Sequence, residues 1–110
     1  MTLLQQMEQE RLQRREDLRA EVRRQLWEAL CQLLPGQTVI VFGSLATPRK
    51  FDETSDVDLA LAAEPATPSL YQLTSLLAER LGRRVDILLL AECRFRDKIL
   101  REGEPWTLPA

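Results

Sequence analysis

Residues 38–61 have the sequence TVIVFGSLATPRKFDETSDVDLAL. Positions 38–42 are mostly β-branched or aromatic and carry no charge, which predicts a buried strand. The polar stretch 46–55 contains a proline and several turn-forming residues and predicts a loop. Apolar residues dominate again at 57–62, which predicts a second strand directly after the loop. This stretch therefore predicts two strands joined by a polar connection.

A long helix is predicted before these strands. Residues 2–34 contain neither glycine nor proline and are rich in Leu, Gln, Glu and Arg, which are good helix formers. Pro35 and Gly36 end this helix. Apolar residues recur along it at helical spacing and form one stripe: Leu18, Val22, Leu26, Leu30 and Leu33.

The remaining face of this helix is charged. Arginines alternate there with acidic residues: Arg11, Arg14, Arg15, Arg19, Arg23 and Arg24. The pattern favours a solvated face with ion pairs between neighbouring turns. A docking face for a partner protein is the alternative.

A helix, a strand and a second helix are predicted after residue 62. Ser69 is a suitable N-cap for a helix that extends to Leu81 and ends at Gly82. The apolar run 84–90 predicts a third strand. Residues 91–102 predict a helix with three inward-facing side chains: Phe95, Ile99 and Leu100.

The order of elements predicts an α/β (α+β) fold, in which helices flank a small mixed β-sheet of about three strands. The chain has 110 residues, which suits a single domain. Within it we expect an N-terminal helix at 1–34, a core at 37–102 and a short irregular tail at 103–110.

Composition excludes several classes of function. The chain has no histidine, which excludes histidine-based acid–base catalysis, Ser-His triads and zinc sites with histidine ligands. The net charge is −2, so no overall attraction to nucleic acid or to an anionic membrane is expected. Cys31 and Cys93 lie outside any CxxC pattern, which favours two free thiols in a reduced protein. No long apolar run or signal-peptide pattern occurs, so we expect a cytoplasmic location.

Three aspartates occupy positions that do not favour folding. Asp58 and Asp86 lie in predicted strands, where aspartate is depleted, and Asp56 precedes the second strand. Asp56 and Asp58 are two positions apart and point to the same face of an extended chain. Like charges this close require a positive group between them, and oxygen ligands favour Mg²⁺ or Mn²⁺. The alternative is that these acids end strands and face solvent.

Gly43 and Ser44 directly follow the first strand. Glycine allows a phosphate to approach the backbone, and serine adds a hydroxyl donor. A helical turn starting at Ser44 would add free N–H groups that attract anions. A plain turn is the alternative for this pair considered alone.

Together these residues resemble the signature of minimal nucleotidyltransferases in the DNA polymerase β-like superfamily. That signature is Gly-Ser, about ten residues, Asp-x-Asp, and a third Asp in the next strand. Gly43-Ser44, Asp56-Val57-Asp58 and Asp86 match it, with a spacer of eleven residues.

The chain departs from the family after Ala46, where Thr47-Pro48 replaces the frequent Arg-Gly. Arg49 or Lys50 is a candidate to supply the missing positive charge to the triphosphate. The resemblance includes residues 38–90 and leaves out the N-terminal helix.

The resemblance implies transfer of a nucleoside monophosphate, AMP from ATP, to a hydroxyl. It implies that Asp56, Asp58 and Asp86 are catalytic and hold two Mg²⁺ ions, and that Gly43 and Ser44 bind the triphosphate. Small members of this family commonly act as antitoxins of HEPN-type toxins, and some modify a toxin tyrosine. The expected partners are therefore such a toxin, in a hetero-oligomer, and a nucleoside triphosphate, with no direct nucleic acid and no membrane.

Two alternatives to an enzyme remain open. The first is a binding module that keeps the fold and neutralises its partner by contact alone. The second is an unrelated α/β domain in which the three aspartates match the signature by chance. The N-terminal helix and Trp106 are candidate docking surfaces, and packing of Trp106 on its own domain is the alternative.

Overall fold

The N-terminal helix is the longest element of the computed structural model, which describes residues 1–110. This helix, α1, includes Leu3–Leu33 and begins with a capping box between Thr2 and Gln5. It ends before Gly36, whose φ of 76° lies in the left-handed region that glycine adopts without strain. The predicted long helix is confirmed.

Four strands form one mixed sheet in the order β3-β2-β1-β4. The strands are β1 (Thr38–Phe42), β2 (Val57–Leu61), β3 (Val85–Leu89) and β4 (Glu104–Thr107). β1 is antiparallel to both of its neighbours, whereas β2 and β3 are parallel. A parallel pair needs a crossover connection, and helix α2 (Leu70–Leu81) supplies it. The predicted α/β architecture with a small mixed sheet is confirmed.

The tail is not irregular as predicted, because it contains β4. Val39 of β1 pairs with Trp106 of β4, and the Leu108 N–H donates to the Gln37 carbonyl at 2.8 Å. Leu108 is buried in the main core, a cluster of 17 buried residues contributed mostly by α1, α2 and the sheet. These four residues include Pro105 and have no strand pattern in the sequence. They form a strand because they pair with the edge of β1.

The last predicted helix is shorter than 91–102. A single 3-10 turn, Leu90–Glu92, precedes helix α3, which begins only at Arg96 and ends at Glu102. Ile99 is buried as expected, but Phe95 is 57% exposed and Leu100 is 44% exposed. The prediction that these two residues face inward is wrong, because Phe95 precedes the helix and the short helix turns Ile99, not Leu100, toward the sheet.

The helices cover the two faces of the sheet unequally. Helices α1 and α2 pack on one face, where Val57, Leu59 and Leu61 of β2 join the main core. Side chains alternate along a strand, so Asp58 and Ala60 lie on the opposite face. That face has only a small cluster around Ala60 and Ile99. We call it the open face. None of the helices combines the length and the hydrophobicity that a membrane-spanning helix requires.

Leu108→Ala should destabilise the protein by about 3 kcal/mol, because it leaves a cavity in the main core. Leu4→Ala is the matched control, since this residue is 77% exposed and loss of its side chain should change stability by less than about 0.5 kcal/mol. Urea denaturation followed by circular dichroism measures both. Equal effects would contradict the packing of the tail as β4.

Candidate functional site

Strand register brings four of the predicted site residues to one region. Phe42 of β1 pairs with Asp58 of β2, and Asp58 pairs with Asp86 of β3. Gly43 and Ser44 therefore begin the turn beside Asp58. Asp58 and Asp86 are neighbours across a parallel ladder, on the open face of the sheet.

Gly43 has two structural reasons to be glycine. Its φ is 73°, and a Cβ added there would lie 2.5 Å from the Asp58 Oδ2 atom. Gly43 also begins a 3-10 turn that extends to Ala46. The Thr47 hydroxyl donates to the Gly43 carbonyl at 2.9 Å and helps to close this turn. The glycine therefore allows the Asp58 carboxylate to lie directly against the turn.

The pKa of the Asp58 carboxyl is raised above its usual value. Partial burial raises the pKa of its carboxyl, and the negative charges of Asp86 and Asp56 raise it further. The Arg84 guanidinium opposes this rise in pKa. The site therefore holds negative charge that lacks full compensation.

Arg84 supplies the one cation within reach of these carboxylates. Its Nε atom lies 3.2 Å from Asp86 Oδ1 and 4.0 Å from Asp56 Oδ2, while its side chain is 73% exposed. As the side chains stand, no group of three acids is close enough to hold a metal ion. The donor set is nonetheless all oxygen, and a cation already bridges two of its members. The chemistry of this donor set therefore suits Mg²⁺, which prefers oxygen ligands.

Arg83 holds the end of the loop that leads to Asp56. Its Nη1 atom donates to the Ser55 carbonyl at 2.9 Å and to the Asp52 carbonyl at 3.3 Å. The guanidinium also lies over the ring of the fully buried Phe51, 4.7 Å from its centre. These contacts fix the backbone immediately before the Asp56-Val57-Asp58 segment.

Helix α1 holds the other end of the loop. The Leu45 carbonyl accepts from Arg19 Nε at 2.8 Å and from Arg23 Nη1 at 3.2 Å. The Arg49 N–H donates to the Glu16 carboxylate at 2.5 Å. The helix thus contacts both the Gly43–Ala46 turn and the loop after it.

The interpretation of the whole charged face of α1 as solvated is therefore wrong for two arginines. The side chains of Arg19 and Arg23 are only 16% and 27% exposed. A signal for this was present in the sequence, because both residues directly follow members of the apolar stripe, Leu18 and Val22. Arg24, in contrast, pairs with Glu21 and Glu28 on its own helix, as predicted.

Arg49 and Lys50 lie on the exposed loop, and neither side chain forms an ion pair. Arg49 adopts a φ of 68°, a conformation that is uncommon for residues other than glycine. The geometry leaves their side chains free but does not bring them to the carboxylates. Their role in binding phosphate stays a prediction.

A groove of about 380 Å³ lies beside Gly43. Its lining combines apolar and charged side chains: Phe42, Gly43, Thr47, Leu88, Phe95, Lys98, Ile99 and Glu102. The ring of Phe95 is exposed at this groove, and the Arg94 guanidinium lies over it, 5.5 Å from its centre. The groove therefore provides space for a substrate next to the Gly-Ser turn.

Two solved structures resemble this chain. The crystal structure of a toxin-antitoxin with AMP-PNP has a TM-score of 0.59 and 22% identity, with 76% of this chain and 72% of that chain covered. A structure described as a minimal nucleotidyltransferase has a TM-score of 0.57 and 34% identity, with 83% of this chain and 94% of that chain covered. A search of curated proteins finds no match.

The sequence profile of a protein family matches residues 24–105, which include the turn, the three aspartates, strands β1 to β3 and the start of β4. That family is described as Polymerase beta, Nucleotidyltransferase. The match includes most of the chain, and the chain therefore belongs to the polymerase beta nucleotidyltransferase family.

Proposed function

We propose that this protein is a Mg²⁺-dependent nucleotidyltransferase that transfers AMP from ATP to a hydroxyl of a partner toxin, and that it acts as the antitoxin. The acceptor in this proposal is a tyrosine of a HEPN-type toxin. The observation that carries the proposal is the meeting of Gly43, Asp58 and Asp86 on the open face, within a chain of this family. The crystal structure of a toxin-antitoxin with AMP-PNP, which shares the fold, supports both the nucleotide and the kind of partner.

Each site residue has a role in this proposal. Asp56, Asp58 and Asp86 would hold two Mg²⁺ ions, which when bound would stabilise the attacking and leaving oxygens of an in-line displacement. Gly43 N–H and Ser44 Oγ would donate to the β- and γ-phosphates, with Arg49 and Lys50 adding positive charge.

The transfer itself forms one bond and breaks another. The acceptor oxygen bonds to the α-phosphorus, the bond from that phosphorus to the β-phosphate oxygen breaks, and pyrophosphate leaves. Asp86 accepts the proton of the acceptor hydroxyl. Asp86 lies beside Asp58 in the parallel strand pair.

The partner surface in this proposal is the first half of α1. Leu3, Leu4 and Met7 are largely exposed there and have no core to cover. Trp106 instead packs on its own domain, edge-on to Trp27 with 5.8 Å between ring centres. Trp27 remains 40% exposed and extends the surface that a partner could contact.

A second candidate function is a binding module that neutralises the toxin by contact alone. One observation favours it: Thr47-Pro48 replaces the Arg-Gly that often follows the Gly-Ser pair in the family. The three aspartates oppose it, because they are repulsive in the fold and a site without chemistry has no folding reason to keep them.

Label from α-³²P-ATP should move onto a HEPN-type partner when it is incubated with this protein and Mg²⁺. The double variant Asp56→Ala/Asp58→Ala should lower transfer by on the order of 100-fold or more, because it removes two ligands of the ions. Autoradiography measures the transfer, and mass spectrometry identifies the acceptor. Tight binding of the partner without any transfer would favour the contact-only module.

Arg84→Gln should tighten Mn²⁺ binding about threefold to tenfold, because the guanidinium neutralises Asp56 and Asp86 and competes with an ion for them. Titration calorimetry with Mn²⁺ alone measures the affinity. Arg80→Gln is the matched control, since it removes the same charge from an exposed position in the last turn of α2. Unchanged affinity in both variants would contradict a bridging role for Arg84.

Asp58→Asn should raise the melting temperature at pH 7 without divalent ions by about 2–5 °C. The raised pKa of Asp58 means that the folded protein holds this proton more tightly than the unfolded chain does. Ionisation therefore costs stability above the unfolded pKa of about 3.9, and the cost is absent well below it. The gain should accordingly disappear near pH 3.

Asp52→Asn is the control with the opposite sign. Hydrogen bonds from Thr54 hold the pKa of Asp52 below its usual value, so its charge stabilises the fold at neutral pH. This substitution should lower the melting temperature at pH 7, and the loss should shrink as the pH falls. Shifts of the same sign in both variants would contradict the electrostatics of the site.

A further inference from the structure

Two arginines of α1 converge on one backbone oxygen at the end of the Gly43–Ala46 turn. The Leu45 carbonyl accepts from Arg19 Nε at 2.8 Å and from Arg23 Nη1 at 3.2 Å. The Leu45 side chain is fully buried in the main core. The backbone immediately after Gly43 and Ser44 is therefore held from two sides, by a buried side chain and by two charged donors.

Arg23 is itself held in place by β4. Its Nη2 atom donates to both carboxylate oxygens of Glu104, at 2.6 and 2.7 Å. Its guanidinium also lies 5.2 Å from the ring centre of Trp106. The ion pair lowers the pKa of Glu104, so this carboxylate stays charged at neutral pH. The side chain of Arg23 on α1 therefore contacts both β4 and the turn.

These contacts act at the end of the turn where positive charge is favourable. The carbonyls of a helical turn carry partial negative charge at its C-terminal end, and cations there stabilise the turn. Hydrogen bonds from a charged donor are also stronger than neutral ones. Arg19 and Arg23 supply two such cations to this turn from a helix that is distant in the sequence.

We propose that Arg23 is a positioning residue that keeps the Gly43-Ser44 backbone in the conformation that receives the triphosphate. Arg19 acts on the same carbonyl, and Glu104 keeps Arg23 aimed at it. The part of this inference that concerns the triphosphate rests on the proposed function. The part that concerns the shape of the turn does not.

The neighbouring Arg24 provides a matched control. It follows Arg23 on the same helix but pairs only with Glu21 and Glu28 of α1 and does not contact the turn. Arg23→Gln and Arg24→Gln therefore remove the same charge from adjacent positions, and only the first removes a donor to Leu45. Glu104→Gln tests the same network from the other side without changing α1.

The first measurement is amide hydrogen exchange of the metal-free and nucleotide-free protein. Arg23→Gln and Glu104→Gln should speed exchange in residues 43–47, while exchange in α2 and β3 stays at the wild-type rate. Arg24→Gln should leave 43–47 unchanged, and Arg23→Lys should restore part of the protection. Faster exchange throughout the chain would assign Arg23 to general stability and would overturn the proposal.

The second measurement is the affinity for AMP-PNP with Mg²⁺, by calorimetry at a temperature where every variant is folded. Arg23→Gln should weaken binding about tenfold, because the turn loses a charged donor, and Arg24→Gln should bind as the wild type does. Unchanged affinity in Arg23→Gln, with a wild type that binds, would overturn the positioning role. A wild type that does not bind AMP-PNP would overturn the proposed function, and local exchange in 43–47 would still decide the role of Arg23 in the turn.

Discussion

The register of β2 between β1 and β3 is the constraint on which the site depends. Asp58 pairs at once with Phe42 on one side and with Asp86 on the other, so the turn after β1 and the acid of β3 meet at the same residue. A slip of one position would turn Asp58 into the main core and expose Leu59. Burial of the apolar residues of β2 therefore fixes where its aspartate lies.

Negative charge gathered in this way has an energetic cost that the fold offsets only in part. The raised pKa of Asp58 is the sign of that cost, and the Arg84 contacts with Asp56 and Asp86 are the partial compensation. An exposed guanidinium at these distances stabilises weakly, because water screens it. A divalent cation would compensate the same carboxylates more fully, which connects the electrostatics of the free protein to the proposed chemistry.

Helix α1 has a second role beside covering the sheet. Its apolar stripe packs on the core, while Arg19, Arg23 and Glu16 reach the turn and loop that precede the acids. Arg83 holds the other end of the same loop. The loop is thus held at both ends, so it has few conformations to lose when a triphosphate binds beside it.

Local features of the sequence predicted most of the helices and strands and identified the candidate site residues. Helix propensity and capping at Ser69 depend on neighbouring residues, so α1 and α2 were predictable, and the Gly-Ser and Asp-x-Asp spacing identified the family. Only the tertiary structure decided β4, the exposure of Phe95 and the long-range partners of Arg19 and Arg23. Arg23 and Glu104 are 81 positions apart, and β4 is a strand only because β1 has a free edge beside it. Such contacts depend on how distant segments pack, which no local pattern encodes.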